Sequence, residues 1–124
     1  MKRPIIIVPF LILVLAYAAS AQSEGALGKV YWRGSVDNKV HLIIRGNTLE
    51  QRTVEGQDTG PGTFSFTSSL PEQAVTVGVI RKEGKSKKIA VVQQPTAENL
   101  FTAIVEVHDD GGGAREYILE IFWR

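Results

Sequence analysis

The most concentrated chemical feature of the sequence is a basic segment at residues 81–88. It holds five basic residues and one acidic residue, a net charge of +4. The basic residues are Arg81, Lys82, Lys85, Lys87 and Lys88. A cationic loop of this kind can bind a polyanion, such as a phosphorylated glycan or a lipid head group, with a strong salt dependence. No aromatic residue is interleaved with the lysines, which disfavours single-stranded nucleic acid. The alternative is a solvated hairpin tip whose lysines discourage edge-to-edge pairing.

A second group combines carboxylates and a histidine around the turn at residues 111–113. Its members are Glu106, His108, Asp109, Asp110 and Glu116. Oxygen ligands from a tight loop suit Ca²⁺, but the spacing does not match the twelve-residue calcium loop between helices. Paired Asp residues are also common in turns for conformational reasons. The sequence therefore predicts no metal site and no cofactor.

Catalytic chemistry has few candidate residues after the first 21 positions. The histidines are His41 and His108, and the nearest hydroxyl and acid to His41 are Ser35 and Asp37. No metalloprotease, nucleophile-elbow or phosphate-loop motif is present in the sequence. We therefore expect a protein that is not an enzyme. A small hydrolase is the alternative, and it would require a pocket that places a histidine beside a nucleophile and an acid.

Apolar residues also occupy strand positions on the face opposite the expected core. Such a second stripe indicates a partner surface, since a water-facing sheet normally carries polar side chains there. The predicted surface joins these residues to an aromatic residue and an arginine, a composition typical of interface centres. It comprises Tyr31, Arg33, Ile43, Ile104, Ile118 and Phe122. The alternative is that the loops at 55–62 and 94–100 cover these strands.

Length and charge limit the classes of protein to consider. The chain has 124 residues, 14 basic and 13 acidic, and no cysteine. This is the size of one domain, and a formal charge of +1 excludes a strongly basic nucleic-acid-binding protein. The absence of cysteine excludes a disulfide scaffold and thiolate metal sites.

The first 21 residues have the plan of a secretory signal peptide. Lys2 and Arg3 precede an uncharged apolar stretch, and the small residues 18–21 follow it. We predict cleavage before Gln22, which leaves a single domain at 22–124 without a transmembrane span. An uncleaved anchor is the alternative, although the stretch is shorter than the roughly 20 residues that span a bilayer. The prediction places the protein in the periplasm or outside a bacterial cell.

Short runs of β-branched and aromatic residues alternate with turn residues about every ten positions along the rest of the chain. This spacing predicts an all-β fold, an antiparallel β-sandwich of about eight strands of immunoglobulin-like or jelly-roll form. A small β-barrel is the alternative. The predicted strands are 28–36, 39–45, 48–55, 63–69, 74–82, 87–93, 101–109 and 114–123. The predicted aromatic core consists of Trp32, Phe64, Phe66, Phe101, Tyr117 and Trp123.

Turn residues and alternation also predict which strands pair. Gly46-Asn47 fits a two-residue type II′ turn that places Ile44 opposite Leu49. We further expect hairpins at residues 37–39, around the basic segment, and at 111–113, the last pairing His108 with Glu116. The polar segment 55–62 is expected to connect two sheets.

Several segments carry a resemblance to a known class of protein. They are Tyr31–Asp37, Val40–Gly46, Gln93–Pro95 and Tyr117–Trp123. The pattern resembles small secreted bacterial β-domains, a family with no established activity. The resemblance implies a location and a fold type, and no functional residue. We therefore expect an exported, non-catalytic module that binds a protein or glycan of the cell envelope, with polyanion binding by residues 81–88 as the alternative.

Overall fold

The computed structural model describes residues 23–124, which form eight strands and one 3₁₀ helix. The predicted signal peptide and its cleavage position lie outside these residues. The strands are β1 Gly28–Val36, β2 Lys39–Arg45, β3 Thr48–Glu55, β4 Thr63–Phe66, β5 Val77–Glu83, β6 Lys88–Gln93, β7 Ala103–His108 and β8 Arg115–Trp123. The 3₁₀ helix, Ala97–Asn99, lies between β6 and β7. No helix in the described part of the chain is long and apolar enough to cross a membrane.

The strands form two antiparallel four-stranded sheets. Sheet A has the order β4-β1-β8-β5, and sheet B has the order β3-β2-β7-β6. The predicted all-β sandwich is therefore confirmed. The segment 56–62 leads from β3 in sheet B to β4 in sheet A, so the expected connection between sheets is also confirmed.

Alternation along the central strands builds the core. On β1 and β8 every second residue is buried between the sheets, as Val30 and Leu119 illustrate, and Val40 and Val105 do the same on β2 and β7. Trp32, Tyr117 and Trp123 are buried as predicted. Phe64 and Phe101 are corrections. Phe64 is 44% exposed on the edge strand β4, and Phe101 precedes β7 in a left-handed conformation with φ 54° that takes it out of the strand pattern.

One predicted hairpin is confirmed. Arg45 pairs with Thr48 and Ile44 pairs with Leu49 across the turn at Gly46 and Asn47. Gly46 has a φ of 59°, which is the left-handed conformation that the first central residue of a type II′ turn requires. Alternation and turn chemistry agree here, so the register follows from the sequence.

The other three predicted hairpins are wrong. β1 and β2, β5 and β6, and β7 and β8 each belong to different sheets. β8 pairs with β1 and β5, and His108 pairs with Lys39 and Lys88 instead of Glu116. Two strands that face each other across a core have the same inward alternation as two strands that pair in one sheet. A connection of a few residues can also span the roughly 10 Å between packed sheets.

Candidate functional site

The outer face of sheet A brings together half of the predicted partner surface. Tyr31, Arg33 and Ile118 line a cleft of about 270 Å³, together with Phe64 from the edge strand. β1 positions Tyr31 and Arg33 two residues apart on the same face, and its pairing with β8 sets Arg33 beside Ile118. Tyr31 is 40% exposed, so the cleft presents an aromatic ring and a guanidinium to the outside.

Next to this cleft the same face carries a buried carboxylate. The side chain of Glu120 is only 5% exposed, and it pairs with Lys29 at 3.3 Å and with Lys82 at 3.4 Å. Burial raises the pKa of Glu120, but hydrogen bonds from Lys29 and Ser23 and the charges of both lysines outweigh it and lower the pKa. The carboxylate is therefore held ionised, and it ties β1, β8 and β5 together on the outside of the sheet.

Phe122, another member of the predicted partner surface, is buried on this outer face instead of exposed. Its ring lies over Gly78 of β5, where a Cβ atom would come within 2.4 Å of the ring. The guanidinium of Arg124 lies 5.7 Å from the ring centroid. Phe122 and Gly78 line a cleft of about 640 Å³ that reaches Val79 at the edge of the sheet.

The remaining two residues of the predicted surface lie on the opposite side of the molecule. Ile43 and Ile104 form a cross-strand pair on the outer face of sheet B. Both are partly buried, and His41 and Glu106 form the neighbouring pair, with Nε2 of His41 3.0 Å from Oε1 of Glu106. This hydrogen bond lowers the pKa of Glu106 despite partial burial. The predicted stripe is thus two separate surfaces.

The basic segment connects the two sheets at one side of the sandwich. The guanidinium of Arg81 donates to the carbonyls of Lys85 and Ser86, which fixes the turn from within. Lys82 binds Glu120, and Lys88 lies 3.4 Å from Asp110. The ammonium groups of Lys85 and Lys87 have no ion-pair partner within the described residues, so two of the five predicted cations are available to a ligand.

A buried hydrogen-bond network anchors this connection. The Tyr117 hydroxyl donates to Oδ2 of Asp109 at 2.6 Å and accepts from the Ser86 amide at 2.8 Å. Ser86 Oγ donates to the carbonyl of His108. Burial raises the pKa of Tyr117, and its bond to Asp109 adds to the rise. Burial also raises the pKa of Asp109, but the bonds from Tyr117 and from the Gly111 amide lower it overall.

The acidic residues that could have formed a metal site are held by different partners. Glu106 contacts His41, Asp109 contacts Tyr117, Asp110 contacts Lys88, and Glu116 accepts a hydrogen bond from Ser35 at 2.5 Å. Within residues 23–124, no group of three or more metal-ligating side chains converges.

The residues nearest to a catalytic triad are also separated. Ser35 lies on the outer face of sheet A, whereas His41 lies on the outer face of sheet B. Asp37 accepts a hydrogen bond from the amide of Gln57 at 2.8 Å. Proximity along the chain therefore does not bring a nucleophile, a base and an acid together at His41.

Sequence reasoning missed two residues that shape this side of the molecule. Phe64, predicted to lie in the core, is among the residues that line the Tyr31 cleft. Gln94 was not singled out, yet its side chain bonds to the backbone of Val77 on the edge strand. A glycine inside a strand marks a close approach, so Gly78 was a usable sign of the cleft beside it.

No protein-family model matches the chain, and neither the curated proteins nor the solved structures include a significant match to it.

Proposed function

We propose that this protein is an exported bacterial module, without catalytic activity, that binds a protein or glycan partner in the cell envelope. The contact surface is the outer face of sheet A around Tyr31, Arg33 and Ile118. The predicted signal peptide at residues 1–21 supports a periplasmic or extracellular location. The dispersal of the histidines, hydroxyls and carboxylates supports a binding role over a hydrolytic one.

The cleft that contains Tyr31 is the observation that carries the proposal. Tyrosine and arginine are enriched at interface centres, because each combines a large apolar area with directional hydrogen bonding. In this cleft they flank Ile118, and the edge-strand residue Phe64, which is 44% exposed, also lines it. The neighbouring ion pairs of Glu120 hold β1 and β8 in place, so the side chains are presented from a rigid sheet.

Affinity capture from the native envelope tests this surface. The bait is the purified protein, and the variant is the double substitution Tyr31→Ser and Arg33→Ser. The matched control is Ile43→Ser with Arg52→Ser, which removes an apolar residue and an arginine from the outer face of sheet B. We expect one captured species to disappear with the sheet A variant and to persist with the control. Protease or periodate treatment of the envelope then assigns that species as a protein or a glycan.

The result that contradicts the proposal is equally specific. Capture that is unchanged by the sheet A variant, or lost equally with both variants, would remove the outer face of sheet A as the contact surface. Circular dichroism of each variant distinguishes a lost contact from a lost fold.

Polyanion binding by residues 81–88 is the second candidate function. The exposed ammonium groups of Lys85 and Lys87 favour it, because they lie close together on one connection and lack ion-pair partners in the described chain. Retention on heparin should fall steeply with salt, and Lys85→Gln with Lys87→Gln should abolish it. The control is Lys39→Gln, a lysine of β2 that pairs with Glu55 on the neighbouring strand β3. Equal retention of both variants would exclude this function.

A further inference from the structure

We propose that the free edge of β5, centred on Val79, binds an extended acidic segment of another protein as an added β-strand. This surface is separate from the Tyr31 cleft, so it does not depend on the function proposed above. Within residues 23–124, β5 pairs only with β8, and no other strand of this part of the chain lies along its second edge. Such an edge offers a row of N–H and C=O groups to an incoming chain.

The hydrogen-bond pattern identifies the groups that point outward. Thr76 and Arg124 exchange both of their backbone hydrogen bonds, at 2.9 and 3.1 Å. Because bonded and non-bonded pairs alternate in an antiparallel ladder, the backbone groups of Val77 and Val79 point away from β8. Both residues therefore face the free edge.

Gln94 shows that this edge accepts an amide in the geometry of a strand. The Val77 amide donates to Oε1 of Gln94 at 2.8 Å, and Nε2 of Gln94 donates to the Val77 carbonyl at 3.0 Å. The side-chain amide thus occupies the place that a peptide unit would take beside Val77. Val79 is the next residue whose backbone groups face outward, and no side chain of the described residues bonds to them.

The surroundings of Val79 indicate the chemistry of the added segment. Val79 lines two clefts, one of about 640 Å³ with Phe122 and Gly78, and one of about 340 Å³ with Arg81, Lys87 and Ile89. Apolar side chains on both faces of an added strand would fill these clefts. At the Arg81 end the charge is positive, so a carboxylate on the segment would complement it.

Charge argues against a second copy of this chain as the occupant. Antiparallel pairing of two β5 strands about Val79 would set Arg81 of one copy opposite Val77 of the other, and Val77 lines one cleft together with Arg124. It would also have to displace Gln94 from Val77 in both chains. An acidic segment that pairs from Val79 toward Arg81 meets neither obstacle.

The test is a titration of the purified protein with three capped six-residue peptides, followed by amide chemical shifts. The first peptide is Glu-Glu-Thr-Val-Phe-Val, the second carries Lys in place of both Glu, and the third is the first with its central amides N-methylated. We expect only the first to bind, with the largest shifts at residues 78–81. N-methylation removes backbone donors while keeping side chains and charge, so it separates strand addition from electrostatic attraction.

Two variants sharpen the expected result. Gln94→Ala should strengthen binding about three- to tenfold, since it frees the Val77 backbone pair and each net hydrogen bond is worth about 1 kcal/mol. Lys87→Glu should weaken binding about three- to tenfold, and Arg52→Glu, the same charge change on sheet B, should leave it unchanged. A gain on Gln94→Ala cannot come from a damaged fold.

Four outcomes would overturn the proposal. They are no binding of the first peptide at millimolar concentration, equal binding of the lysine peptide, equal binding of the N-methylated peptide, and no strengthening by Gln94→Ala. A protein mass that doubles with concentration, with shifts at the same residues and no peptide present, would assign the edge to a second copy instead.

Discussion

The two outer faces of the sandwich each carry a central-strand carboxylate with side-chain partners, but in different settings. In sheet A, Glu120 of the central strand β8 pairs with Lys29 and Lys82, and its side chain is 5% exposed. In sheet B, Glu106 of the central strand β7 pairs with His41, and its side chain is 30% exposed. Both carboxylates point away from the core, but only that of Glu120 is shielded from water.

This difference shows that facing outward does not mean facing solvent. β7 alternates regularly between buried and partly exposed residues, whereas β8 is buried at every position from Leu119 to Trp123. The outside of β8 is shielded by the side chains of Lys29 and Lys82 from the two flanking strands, by Arg124, and by the turn that includes Ser23. Sheet A therefore has a second, smaller packed layer beside its cleft, and this layer gives the cleft a rigid frame.

The largest expected effect comes from the aromatic residue in that layer. Phe122→Ala should lower the free energy of unfolding by about 3 kcal/mol, as expected for a buried phenylalanine. Ile104→Ala, at an outward position of the same kind in sheet B, should cost about 1 kcal/mol because its side chain is only partly buried. Urea denaturation of both variants measures the difference. Equal losses would mean that the outside of β8 is not packed.

The paired carboxylates give the next largest contrast. Glu120→Gln should cost about 1 to 2 kcal/mol at pH 7, because it removes a shielded charge from between two lysines whose ends still reach water. Glu106→Gln should cost less than about 0.5 kcal/mol, as for an exposed pair. The same denaturation assay applies. A larger loss for Glu106→Gln than for Glu120→Gln would reverse the comparison.

Lowering the pH should remove the larger stabilising contribution that Glu120 makes. The pKa of Glu120 is lower in the folded chain than in the unfolded chain, so its stabilising contribution is present above about pH 4.3. That contribution is lost as the pH falls through the folded value. The stability gap between the wild type and Glu120→Gln should therefore narrow from pH 6 to pH 2. The gap for Glu50→Gln, an exposed control on sheet B, should stay near zero, and a widening gap for Glu120→Gln would contradict the sign.

The smallest expected effect is in the cleft itself. Arg33 is exposed and its guanidinium is not part of the packed layer, so Arg33→Ser should change the free energy of unfolding by less than about 0.5 kcal/mol. Arg52→Ser on sheet B should change the free energy of unfolding equally little. A loss above 1 kcal/mol for Arg33→Ser would show that this residue supports the fold as well as the surface.

The sequence predicted the positions of the strands better than it predicted which strands pair with each other. The bounds of β1, β2 and β3 match the predicted ranges, and the Gly46-Asn47 turn fixed one register because turn chemistry and alternation acted on the same two strands. Elsewhere alternation alone could not distinguish pairing within a sheet from packing across the core. For the same reason the sequence placed Ile43 and Ile104 on one surface with Tyr31 and Ile118. The structure separates them, because their strands belong to different sheets.

The candidate site could be predicted only in part for a similar reason. Tyr31 and Arg33 were identifiable because they occupy alternate, outward positions of one strand. Ile118 was identifiable because it is an apolar residue at an outward position of another strand. The burial of Phe122 and Glu120 depends on side chains from three strands and a turn, which are distant in sequence. The bond between Gln94 and Val77 joins a loop to an edge strand 17 residues away, and no local pattern encodes it.

Footprinting in the native envelope tests the central claim most directly, because it compares the two faces within one molecule. Hydroxyl-radical labelling of Tyr31 and Phe64, on the cleft side, is compared with labelling of Val54 and His41, on sheet B, for purified and envelope-associated protein. We predict that Tyr31 and Phe64 become protected in the envelope while Val54 and His41 are labelled as in the purified protein. Protection of the sheet B residues alone, or equal labelling of all four residues in both samples, would contradict the assignment of the binding surface to sheet A.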